Sequence, residues 1–109
     1  MTRTELEQMA IETVCISFVG EVRYFADYFK IDYIKGSYEL KEGKGYFYVE
    51  DKGNKTLLKE FDYAEAIIAW RQGLPELAKT LDGLVAKYKL EDPNISVIET
   101  EAEVVNSNE

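Results

Sequence analysis

Two glycine-bearing turn sequences, Lys41-Glu42-Gly43-Lys44-Gly45 and Asp51-Lys52-Gly53-Asn54, bracket the run Tyr46-Phe47-Tyr48-Val49. Gly and Asn accept the positive φ that tight turns need. The run between them alternates two faces and is built of strand formers. A chain that reverses twice in so short a span is constrained to a hairpin-linked sheet. The spacing predicts a three-stranded antiparallel meander, with strands near 32–41, 45–51 and 55–61. Gly36 is expected to mark a bend or bulge in the first strand.

Upstream the period is helical. Ile11, Cys15, Phe18, Val22, Phe25 and Phe29 recur at steps of three and four, one stripe of a helix. Thr4-Glu5-Leu6-Glu7 fits a capping box, so a long helix is expected from about Glu5 to Phe29. Gly20 either allows close packing or splits that helix. The β-branched residues between Thr13 and Val19 leave a strand as the alternative for part of it.

Downstream, Asp62 and Glu65 form a second capping pattern, and Gly73 is placed to end that helix. Trp70 is expected on or near its apolar side. Pro75 suits the first turn of a third helix, whose apolar residues are Leu74, Leu77, Leu81, Leu84, Val85 and Tyr88. Asp92-Pro93 stops it. The expected fold is α+β in the order α-β-β-β-α-α, with helices covering one face of the sheet.

With 109 residues, 46% of them hydrophobic, the chain is long enough for one domain with its own core. Its net charge of −8 is unevenly spread. Residues 1–89 hold all 13 bases and 15 acids, whereas residues 90–109 hold no base and six acids (Glu91, Asp92, Glu99, Glu101, Glu103, Glu109). The body is therefore near neutral, which argues against a folded surface that mimics nucleic acid. An acidic tail can aid solubility or dock on a basic partner. The expected organisation is one domain over 1–92 and an acidic, flexible tail over 93–109. Ile95, Val97, Ile98, Val104 and Val105 leave an edge strand as the alternative for the tail.

No apolar run approaches the roughly 18 residues of a membrane-spanning helix. No basic segment followed by a short apolar run opens the chain, so no secretory signal is expected. The single Cys15 cannot form an internal disulfide, and its apolar neighbours suit a small buried hydrophobe in a reducing cytoplasm.

The chain contains no histidine, so the commonest general base at neutral pH is missing. Ser17, Ser37, Ser96 and Ser107 lie in no Gly-x-Ser-x-Gly elbow. One cysteine without histidine cannot close a zinc shell. Asp51-Lys52-Gly53-Asn54 lacks the alternating acids of a calcium loop. Gly43-Lys44-Gly45 lacks phosphate-loop spacing and leads into a strand, not a helix. Asp27 and Asp32, near Tyr24 and Tyr28, are the remaining acid–base candidates. Their simpler reading is a solvated helix face and a strand start. No catalytic residue, metal ligand or cofactor is expected.

Seven of the eight tyrosines lie between Tyr24 and Tyr63. If Phe47 and Val49 face inward, Tyr46 and Tyr48 stand on an open sheet face, with Tyr33 or Tyr38 beside them. Lysines outnumber acids seven to five between Lys30 and Lys59. A mildly basic, tyrosine-bearing face can stack bases, so a nucleic-acid-binding domain is one expectation. The chain resembles double-stranded-RNA-binding domains in the α-β-β-β-α order alone. It has no basic cluster at the start of a final helix, and an acidic tail repels phosphate. Exposed aromatic patches more often mark protein contacts. The leading expectation is a cytoplasmic, non-enzymatic protein-interaction or adaptor module. It would contact itself or another protein, as a homodimer in the first case, through Tyr33, Tyr38, Tyr46 and Tyr48. Small size and the missing catalytic groups also suit an accessory protein of a phage or mobile element.

Overall fold

The computed structural model describes residues 1–92. The elements are α1 (Arg3–Phe29), β1 (Ile34–Lys41), β2 (Lys44–Asp51), β3 (Asn54–Phe61), α2 (Tyr63–Gln72) and α3 (Pro75–Tyr88). This is the α-β-β-β-α-α order that the periodicities predict. The acidic tail expected over 93–109, and the domain boundary before it, lie outside the described residues.

Both hairpins close through two-residue turns, Glu42-Gly43 and Lys52-Gly53, and all four turn residues have positive φ. Such turns carry the twist that antiparallel strands prefer. The β1–β2 register runs unbroken from Ile34↔Asp51 to Lys41↔Lys44. The bulge expected at Gly36 is therefore absent. A ladder irregularity falls instead in β3, where Phe47 pairs with Lys59 but Tyr48 pairs with Leu57, leaving Leu58 extra. Gly36 has another use: a Cβ there would stand 3.2 Å from the Val19 Cα, so it lets α1 lie close on the sheet.

α1 begins two residues before the expected start. Thr2, not Thr4, is the cap, and its hydroxyl oxygen accepts from the Glu5 amide at 3.1 Å. Thr2 and Glu5 have the same spacing as Thr4 and Glu7, and the earlier pair gains helix length. Gly20 does not split the helix, and Thr13–Val19 is helical. Tertiary burial of one stripe outweighs β-branched propensity there.

That stripe makes the core. Ile11, Val14, Cys15, Phe18 and Val22 are buried against Phe47 and Val49 of β2 and Phe61 of β3. The Phe18 ring centroid lies 5.7 Å from that of Phe47 and 6.0 Å from that of Phe61. α2 buries Ala66 and Ala69, small residues that let it approach α1 closely. It carries the predicted capping box of Asp62 with Glu65. Trp70, expected on the apolar side, is 58% exposed. The two-alanine contact is too narrow to take in the indole. α3 starts at Pro75, buries Leu77 and Leu84, and is tied at its far end to β2. There the Tyr88 hydroxyl donates to the Asp51 carboxylate, and Lys87 Nζ lies 2.7 Å from it. Among the described residues no helix is long and apolar enough to cross a membrane.

Candidate interaction surface

The β2 alternation divides the sheet into two chemically different sides. Gly45, Phe47 and Val49 are buried, while Tyr46, Tyr48 and Glu50 are half-buried on the other side. The ladders extend that outer side to Ser37 and Glu39 of β1 and to Lys55, Leu57 and Glu60 of β3.

Tyr48 is the centre of a three-strand network. Lys55 Nζ sits 4.4 Å from the Tyr48 ring centroid, where the ring quadrupole attracts it. The same ammonium lies 3.5 Å from Glu39, and the Tyr48 hydroxyl donates to Glu39 at 3.4 Å. Next to it, Lys44 donates to Glu60 at 2.8 Å, and this bond raises the lysine pKa. Glu39, Lys41, Tyr46 and Tyr48 line a shallow depression of about 150 Å³. The Ser37 hydroxyl, opposite Tyr48 in register, is buried without a hydrogen-bond partner among the described residues. Leu57, also opposite Tyr48, is 47% exposed. The face thus presents two tyrosine rings and a leucine among interleaved charges of both signs.

Only two of the four tyrosines expected on this face are there. Tyr38 pairs with Phe47 and therefore shares its side of the sheet. Its hydroxyl reaches Glu12 of α1 at 3.3 Å; burial first, and then that carboxylate, raise its pKa. Tyr33 precedes β1 and meets Tyr88 edge-on at 5.0 Å, with the Lys52 ammonium over both rings. It belongs to the junction of α3 with the sheet end. Sequence reasoning missed Leu57, Glu39 and Lys55, which the turn lengths would have placed beside Tyr48.

The acid–base candidates do not converge. Asp27 and Asp32 are both exposed, and the Tyr28 hydroxyl is bonded to Asp92. Cys15 is buried, and desolvation together with Glu12 pushes its thiol pKa up to about 11. A thiol so held is protonated at neutral pH and a poor nucleophile. Among the described residues no cluster of His, Cys, Asp or Glu is suited to hold a metal ion. Comparisons with protein-family models, with curated proteins and with solved structures found no match.

Proposed function

We propose that this chain is a small cytoplasmic, non-enzymatic protein-interaction module that binds through the outer face of its sheet, around Tyr46, Tyr48 and Leu57. The observation that carries this reading is the one-sided cover of the sheet. Helices bury Phe47 and Val49, while Tyr46 and Tyr48, which alternate with them, face away from the core. Tyrosine is among the side chains that protein interfaces favour. Glu39, Glu50 and Glu60 alternate with the lysines on that face, which suits a protein surface better than a phosphate backbone. A buried lone thiol fits a reducing compartment.

The test is affinity capture from nuclease-treated lysate, with wild type beside a Tyr46→Ala/Tyr48→Ala variant of matched thermal stability. A defined protein retained by wild type and lost from the variant is the expected result. Equal capture by both overturns the proposal. Binding of a labelled single-stranded oligonucleotide that weakens with salt, disappears in the variant and improves on deletion of residues 93–109 would establish the nucleic-acid alternative instead.

A further inference from the structure

α1 carries a second stripe that the other described residues leave exposed. Leu6, Met9, Thr13, Ile16 and Gly20 step by three, four, three and four, on the side opposite Ile11, Phe18 and Val22. All five are exposed, Leu6 at 55% and Met9 and Ile16 at 52% each. This is the spacing by which one helix packs along another. The Thr13 hydroxyl bonds back to the Met9 carbonyl at 2.9 Å, which satisfies its polar group within the helix. Gly20 costs an exposed helix about 1 kcal/mol relative to alanine. A Cβ at Gly20 would meet nothing within 4 Å, so nothing in the described fold requires the glycine. A helix crossing close to it would.

We propose that α1 packs antiparallel on α1 of a second copy of this chain, making a two-fold dimer centred between Thr13 and Ile16. The stripe is self-complementary in that direction. Reversal sets Met9 against the second copy's Gly20, Thr13 against its Ile16, and Leu6 against its Tyr24, which is 72% exposed. It also brings Glu5 beside the second copy's Arg23 on one flank. Arg23 makes no salt bridge among the described residues. A parallel pairing would instead leave Glu5 18 residues from the second copy's Arg23, about 27 Å along the axis. Trp70 stands at the other flank, walling an apolar groove of about 210 Å³ with Ala10, Thr13, Val14 and Ile67. Leu6, Met9, Ile16, Tyr24 and Trp70 together expose on the order of 600 Å² per copy, close to the roughly 800 Å² per partner of a standard interface. The neighbouring Glu5, Thr13, Ser17 and Arg23 make up the difference. This contact lies on the helical side and is independent of the outer sheet face.

Sedimentation equilibrium of the full chain tests it. A dimer is expected, with its dissociation constant raised at least about tenfold by Ile16→Glu or by Gly20→Leu. Both positions are exposed, and leucine favours helix over glycine, so unfolding curves check that the monomer persists. Glu5→Arg and Arg23→Glu should each weaken the dimer a few-fold, and the chain carrying both should recover. A monomer at every concentration overturns the proposal, as does a dimer indifferent to Ile16→Glu. Failure of the double charge reversal to recover overturns the antiparallel pairing. A dimer that forms only after deletion of residues 93–109 would assign the stripe to that segment. A dimer lost only with Tyr46→Ala/Tyr48→Ala would move the contact to the sheet.

Discussion

Ile11 of α1 and Gly45 of β2 lie so close that a Cβ on the glycine would overlap the isoleucine Cγ2 and stand 3.2 Å from the Cys15 Sγ. With Gly36 beneath Val19, this lets the long helix lie flat on the first two strands. Ile11 is β-branched, 1% exposed and helical, so its χ1 has essentially one well and cannot swing aside. Among the described residues the helix lies on this side of the sheet, which leaves the other side to Tyr46, Tyr48 and Glu50.

Gly45→Ala should therefore cost about 1–3 kcal/mol, the usual range for overpacking a filled core. Urea unfolding measures it. In an Ile11→Ala background the penalty should shrink, giving a coupling of about 0.5 kcal/mol or more in the double-mutant cycle. An additive cycle would show that the close approach is not what glycine serves here.

The two sides of β2 should respond differently to truncation. Phe47→Ala removes a ring with no exposure that packs on Phe18, and should cost about 3–5 kcal/mol. Tyr46→Ala and Tyr48→Ala lose cross-strand contacts on the outer face and should cost about 1 kcal/mol each. Chemical denaturation of the three variants compares them. A Tyr46 penalty equal to that of Phe47 would mean that the outer face is covered.

The turn glycines, the Phe18 stripe and the Asp62 cap were legible because each is a local pattern with one physical solution. The side of Tyr38 turns on a local detail too. A second strand that begins at Gly45 makes a three-residue loop, and one residue of register turns a side chain over. The two-residue Glu42-Gly43 turn puts Tyr38 opposite Phe47 and on the buried side. Tyr33 and Tyr88 meet across 55 residues of sequence, and no local rule brings them together. Trp70 is exposed beside buried Ala66 and Ala69; hydrophobicity alone does not say how wide a helix contact is. The outer stripe of α1 was hidden by the stronger stripe behind it, and Gly20 was its visible trace.

Cys15 should be inert in the folded chain. Aromatic disulfide reagents are expected to label it only as fast as the protein opens, and at once in denaturant. Its folded pKa, about 11, lies above the ordinary thiol value. The folded state thus holds the proton more tightly, and this contribution is complete below the ordinary pKa. It is lost as pH rises through the folded one. Stability measured between about pH 8 and pH 11 should fall more for wild type than for Cys15→Ala, which has no thiol to titrate. Parallel curves, or rapid labelling of the folded protein, would contradict a desolvated thiol.

Asp51 anchors the end of α3 and should make that anchor sensitive to acid. The hydrogen bond from Lys87, then that from Tyr88, hold its carboxyl below the usual range. A lowered carboxylate pKa stabilises the fold above the unfolded value, about 4, and the gain disappears as pH falls through the folded value. Asp51→Asn removes the charge that Lys87 meets and leaves an amide in its place. At neutral pH the variant should be less stable than wild type, with faster hydrogen exchange confined to the last turns of α3. As pH falls below 4 the gap should narrow, and it closes once the folded carboxyl is itself protonated. A gap of equal size at pH 3 and pH 7 would show that Asp51 holds α3 by shape and not by charge.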